Sequence, residues 1–104
     1  MEWKDKRIVI IGAARQGLAL ARYLVERGAW VVITDQRPAE QLQTAQDTLV
    51  AEVGVEWVLG SHPDWILEGA DLVCPSGGVA LELPLVQEAL RRGIPLSNDS
   101  QIFL

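Results

Sequence analysis

Apolar residues run along this chain in two alternating rhythms. Short unbroken runs are followed by stretches whose apolar positions recur at helical spacing. Ile8-Val9-Ile10-Ile11 is a continuous apolar run closed by Gly12. A strand buried on both faces reads this way, and such strands belong to parallel sheets. From Gly17 to Arg27 the pattern is helical. Leu20, Ala21, Leu24 and Val25 share a face, while Arg22, Glu26 and Arg27 lie largely away from it. Gly28 suits the cap of that helix.

The two rhythms repeat. Trp30-Val31-Val32-Ile33 predicts a second buried strand ending at Thr34-Asp35. Pro38 opens a second helix, with Leu42, Ala45, Leu49 and Val53 as its apolar stripe and Gly54 at its end. Val55 to Leu59 predicts a third strand. Gly60 to Gly69 is a connection with one helical turn at Pro63 to Leu67. Asp71-Leu72-Val73-Cys74 predicts a fourth strand. Pro84 to Arg92 is a third helix with Leu85, Val86, Ala89 and Leu90 inward and Gly93 as its cap. Ile94-Pro95-Leu96 reads as a fifth strand, at an edge because Pro95 lacks a ladder donor.

Strands and helices in this order, joined by right-handed crossovers, predict an α/β fold. It is a Rossmann-like, doubly wound, five-stranded parallel sheet in the order 3-2-1-4-5. Residues 1–104 are expected to form a single domain. The apolar ending, Ile102-Phe103-Leu104, is expected to continue into further chain, so the domain reads as a fragment.

Composition narrows the function. The hydrophobic fraction of 49% is too high for a disordered chain. No apolar run reaches the roughly 20 residues that span a bilayer, and no membrane partner is expected. The net charge is −5, and no cluster of Lys and Arg appears, so no nucleic-acid partner is expected. That balance does not exclude a single nucleotide, because a phosphate is held by local donors. Cys74 is the one cysteine, so no internal disulfide can form, which fits a reducing cytoplasm. A monomer is expected.

The candidate chemistry starts at Gly12-Ala13-Ala14-Arg15-Gln16-Gly17, a glycine loop between a strand and a helix. Gly12 permits the tight turn, and Gly17 lets the helix pack close to the sheet. The helix start offers unpaired N–H groups and a positive dipole end to an anion. In the dinucleotide fingerprint a second glycine stands where Ala14 is, and lets a pyrophosphate approach the backbone. The plainer alternative is a tight turn that binds nothing. Asp35 ends the second strand, where an acid meets a ribose or a base, although aspartates also serve as turn residues. Arg37 could offset Asp35, reach a phosphate, or decorate the surface. Arg15 is a phosphate contact or a surface residue. Pro75-Ser76-Gly77-Gly78-Val79 follows the fourth strand and faces the first glycine loop across the switch point, or is a flexible loop.

The remaining residues read as structural. His62 is the only histidine, and with Ser61 it reads as the cap of the Pro63 turn. Cys74 reads as core. The four tryptophans are widely spaced and read as packing or edge residues. No G-x-x-x-x-G-K-[ST] loop is present.

These motifs, in their order and spacing, resemble the N-terminal domain of the Mur ligase family, in its D-glutamate-adding branch. The resemblance rests on Val9 to Gly17, Asp35-Gln36-Arg37, Gly60-Ser61-His62-Pro63-Asp64-Trp65, Gly69 to Val73, Ser76-Gly77-Gly78-Val79 and Gly93 to Phe103. The sequence departs from the family pattern in three places. Ala14 stands for the loop's second glycine, Gly77 for the proline of Ser-Pro-Gly, and Gln101 for a glutamate near the end.

The resemblance implies a domain that holds the UDP part of a UDP-muramoyl-peptide substrate. Arg15 and Gln16 would offer backbone N–H groups to the pyrophosphate. Asp35, Gln36 and Arg37 would line the uracil pocket, and Gly78 would approach the nucleotide from the facing loop. Gly12, Ala14 and Gly17 would form the phosphate loop. The family's enzymes make an acyl phosphate and join D-glutamate through its amine. ATP and magnesium would be needed by the full-length enzyme, in domains absent from these residues. No catalytic residue, cofactor or metal ligand is expected within this fragment. Two other readings remain: an NAD(P)-binding module of a dehydrogenase or regulatory protein, and an interaction domain without a ligand. Ala14 and the five-strand length weigh against the first of these.

Overall fold

The computed structural model describes residues 2–97. Four strands form one parallel sheet: β1 (Arg7–Ile11), β2 (Trp30–Asp35), β3 (Val55–Leu59) and β4 (Leu72–Pro75), in the order β3-β2-β1-β4. The register aligns Ile8 with Val31 on one side and with Leu72 on the other. Alternate residues of each strand feed opposite faces. Ile8, Ile10, Val31, Ile33 and Cys74 pack with α1 (Arg15–Val25) and with Leu42, Ala45 and Leu49. Val9, Ile11, Val32 and Val73 pack with α3 (Pro84–Arg91) and with Ile66 and Leu67 of a 3-10 turn at Asp64–Leu67. The unbroken apolar runs are thus explained by a sheet covered on both sides.

The predicted fifth strand is not formed: among the described residues the sheet has four strands in the order 3-2-1-4, not five. Ile94-Pro95-Leu96 does lie beside β4, but it pairs there only through a single parallel bridge, Val73 with Leu96. Val73 N–H donates to the Pro95 carbonyl at 3.0 Å, and Ser97 N–H donates to the Val73 carbonyl at 3.0 Å. The next donor toward this segment would come from Pro75, which has no N–H. Pro75, which the sequence reading left to the following loop, is the last residue of β4 and stops the ladder.

The second helix is also shorter than the apolar stripe predicts. Pro38 is followed by a 3-10 turn at Ala39–Leu42 and then by α2 (Gln43–Thr48), of only six residues. Val53 is 83% exposed rather than inward. Thr48 Oγ1 bonds back to the Thr44 carbonyl, a habit that weakens helices, and the Arg22 guanidinium takes the Thr48 carbonyl. In α3, Leu85, Val86 and Ala89 are buried, but Leu90 is half exposed. At about 100° per residue Leu90 falls at the outer border of the buried arc, as Val25 does in α1.

Candidate functional site

The carboxyl ends of β1, β2 and β4 open on one side of the sheet, and a cleft of about 360 Å³ lies there. Gly12 leaves β1 at φ +110, a conformation that side chains rarely adopt. Its N–H donates to the Thr34 carbonyl at 2.8 Å. A methyl group on Gly12 would stand 3.0 Å from the Ser76 carbonyl oxygen. The two glycine loops are therefore in contact at their base. Ala14 precedes α1 in extended conformation and supplies no side-chain cap. The first N–H of this region to find a helical partner is that of Leu18, on the Ala14 carbonyl at 3.0 Å. The amides of Arg15, Gln16 and Gly17 thus form an uncapped first turn, with the positive end of the helix dipole behind them.

Gly17 holds that turn in place. A methyl group there would lie 2.4 Å from the Gly12 carbonyl oxygen and 3.0 Å from Ser76 Oγ. Only a bare Cα lets α1 press its first turn against both loops. Ser76 is itself buried, and its Oγ has no hydrogen-bond partner among the described residues. Gly78 faces open space. Gly77 adopts φ +64, and a side chain on it would come 3.9 Å from the Ala14 methyl. Two of the departures from the family pattern, Ala14 and Gly77, therefore lie close to one another.

Asp35 organises the other wall. Its Oδ2 accepts from Ala13 N–H at 2.9 Å and from Arg37 Nη2 at 2.9 Å. Its Oδ1 accepts from Arg37 N–H at 2.9 Å and from Arg37 Nε at 3.0 Å. A carboxylate has about four acceptor positions, and all four are taken. Burial alone would push the Asp35 carboxyl upward. The Arg37 guanidinium and the Ala13 and Arg37 amides overcome that and hold it at about 2. Asp35 thus ties the first glycine loop to the end of β2 and aims the half-exposed Arg37 at the cleft mouth.

Six of the residues named from sequence line this cleft: Gly12, Ala14, Asp35, Gln36, Arg37 and Gly78. Gly17 lies beneath it, as packing. Arg15 and Gln16 do not line it and stand in the first turn of α1, directly after Ala14. The Arg15 side chain turns into a separate groove between α1 and α2, with Leu18, Arg22 and Thr48. Ser76, Val79 and His62 line the cleft and were not named as contacts. His62 does not cap the turn at Pro63, which has no side-chain cap. Its Nδ1 instead meets the buried Thr34 Oγ1 at 2.8 Å. Burial pushes the His62 imidazole down from its usual range, and the Asp35 charge partly offsets this. The available signal was position: His62 follows β3, so it too stands at the carboxyl side of the sheet, where ligands bind. Among the described residues, no group of three or more His, Cys, Asp or Glu converges as a metal site.

The chain is similar to known proteins over nearly all of its length. Residues 6–98 match the family model described as "Mur ligase MurD-like, N-terminal domain". A UDP-N-acetylmuramoylalanine--D-glutamate ligase of Syntrophotalea carbinolica is 37% identical over 101 residues, which are 97% of this chain and 22% of that protein. The same-named ligase of Pelotomaculum thermopropionicum is 39% identical, with 97% and 22% covered. The chain therefore spans about a fifth of the length of these relatives. Among solved structures, a pseudomurein peptide ligase type C from Methanothermus fervidus superposes with a TM-score of 0.75 at 25% identity, over 94% of this chain and 20% of that one. A shikimate dehydrogenase from Aquifex aeolicus superposes at 0.66 with 18% identity, over 98% and 45%, a likeness of fold alone.

Proposed function

Because the chain belongs to the Mur ligase family as a MurD-like N-terminal domain, we propose that its cleft holds the UDP end of a UDP-N-acetylmuramoyl-peptide substrate. The enzyme it serves would be an ATP-dependent ligase that adds D-glutamate in peptidoglycan synthesis. The observation that carries this reading is the cleft itself, where an uncapped helix N-terminus meets two glycine loops at the switch point of a parallel sheet. The pyrophosphate would lie against the Arg15, Gln16 and Gly17 amides, with Ser76 Oγ as an unpaired group beneath. The base would lie toward Gln36 and Arg37, with Asp35 holding that wall in shape and Gly78 closing the other side.

This division leaves the chemistry elsewhere. The family's reaction joins a carboxylate, activated as an acyl phosphate, to the amine of D-glutamate. These 104 residues contain no lysine-bearing phosphate loop, and the described residues converge on no metal site. ATP and magnesium would be bound by other domains of the full-length enzyme. The domain's part is to bind and orient one end of the substrate. An NAD-binding role is disfavoured by two contacts. The Ala14 methyl stands where a dinucleotide needs a glycine, and the Asp35 carboxylate has no acceptor position left for a ribose diol.

Calorimetric titration of the chain with UDP, UDP-N-acetylmuramic acid and NAD tests the reading. The uridine compounds are expected to bind and NAD to bind more weakly. Saturable NAD binding without a response to UDP would overturn it.

A further inference from the structure

One titratable side chain of the cleft has no part in the reading above. Thr34 Oγ1 has a single proton and two neighbours at hydrogen-bond distance: the Ser61 carbonyl oxygen at 3.1 Å and His62 Nδ1 at 2.8 Å. A carbonyl oxygen can only accept. Both contacts are hydrogen bonds only when Thr34 donates to Ser61 and His62 Nδ1–H donates to Thr34. The opposite arrangement would set two acceptor oxygens against each other on a fully buried residue. Neutral His62 is therefore the Nδ1–H tautomer, and its lone pair is on Nε2. With Nδ1 turned onto Thr34, Nε2 is at the opposite edge of the ring, without a hydrogen-bond partner among the described residues. The ring borders the cleft on one side and a groove against Leu83, Pro84 and Leu85 on the other.

We propose that His62 is a specificity-determining residue whose Nε2 accepts the imide N3–H of a uracil base, so that the cleft prefers uridine to cytidine nucleotides. The proposal rests on the nucleotide reading above and adds a base contact to it. The charged side chains lining the cleft cannot supply this acceptor: Asp35 is saturated and Arg37 only donates. Cytosine presents an acceptor at N3, which would face the Nε2 lone pair. Protonation of His62 reverses the match, because Nε2–H then donates to N3 of cytosine and opposes N3–H of uracil. The charges facing His62 are Asp35, from the end of β2, and Arg37, which is held on Asp35. The α3 side presents only apolar residues, and the uncharged polar residues around the two spaces are Gln36, Ser61 and Ser76. Because burial keeps the imidazole below its usual range, the acceptor form prevails at neutral pH.

Two measurements on the 104-residue chain test this. Long-range 15N–1H correlation of the imidazole reports the tautomer. The Nδ1–H form is expected above neutral pH, and a dominant Nε2–H form would overturn the proposal. NMR titrations with UDP and CDP at pH 8 are expected to show a preference of about tenfold for UDP, the effect of one buried hydrogen bond matched against one mismatched. In the unaltered chain that preference should shrink as the pH falls through the His62 titration. His62→Phe and Thr34→Val, each checked for a native spectrum, should still bind UDP but lose the preference. If the variants and the low-pH chain keep it, His62 does not read the base. If neither nucleotide shifts any resonance at millimolar concentration, the nucleotide reading fails and the base contact with it, whatever the tautomer.

Discussion

Asp35 stands at the point where a dinucleotide fold usually meets a ribose, yet every acceptor position it has is spent within the protein. Its carboxyl is held at about 2, below the 3.8 of an unperturbed aspartate. A lowered folded value contributes stability that is present above the unfolded value and is lost as pH falls through the folded one. The side chain is only 9% exposed, so the contribution is not much reduced by solvent. It amounts to about 2 kcal/mol at neutral pH. Asp35→Asn should therefore lower the urea-unfolding free energy by about 2 kcal/mol at pH 7. The gap between the two proteins should close between about pH 4 and pH 2. A gap that does not vary with pH would show that the ionised carboxylate is not what holds the loop. The position of Asp35 was legible in the sequence, at the end of a strand after a glycine loop. Its saturation was not, because that depends on Ala13 being brought 22 residues back along the chain to meet it. Arg15 is the converse case. Its place in the loop suggested a phosphate contact, but the phase of α1 turns its side chain into the groove beside Arg22.

At the scale of elements, the uncapped start of α1 is usable only while the helix is seated on the sheet. Gly17 decides that seating, with the Gly12 carbonyl oxygen 2.4 Å from where a methyl group would sit. Gly17→Ala would normally favour a helix by about 1 kcal/mol. Here the overlap must push α1 outward, and overpacking of this kind costs about 1–3 kcal/mol. The expected outcome is a net loss of stability in thermal melts and weaker UDP binding in the variant that still folds. A variant that melts at the wild-type temperature and binds UDP normally would show that the contact relaxes freely. The elements themselves were largely readable, because β1, β2 and β3 are short segments rich in apolar residues and bounded by glycines and turns. The short α2 was not. Its stripe of Leu42, Ala45, Leu49 and Val53 has helical spacing, but the Thr44–Thr48 back-bond and the Arg22 contact end the helix early. The missing fifth strand follows from a donor that Pro75 lacks, and the proline that drew attention in the sequence was Pro95.

For the molecule as a whole, the net charge of −5 and an anion-binding cleft are compatible because the donors are local. Uncapped amides and one anchored arginine act within a few ångströms, whereas the net charge acts over distances that salt screens. The two sheet faces divide the work. One is closed by α1 and α2 and the other by α3 and the Asp64–Leu67 turn, and the loops between these covers make the cleft.

The bridge at Leu96 also decides how the molecule behaves toward its own copies. A parallel sheet ends in a row of unpaired donors and acceptors that can template further chains. Beside β4 this row is occupied by Pro95 to Ser97, whose Pro95 carbonyl and Ser97 N–H take up the N–H and the carbonyl of Val73. The β4 edge is thus closed to a foreign strand at Val73, which guards the fold against fibril-like stacking. Ser97→Pro would remove the N–H by which this cover holds the Val73 carbonyl. It should speed the growth of light scattering and thioflavin fluorescence in concentrated, agitated samples, with little change in the melting temperature. Equal rates for the two proteins would locate the safeguard elsewhere.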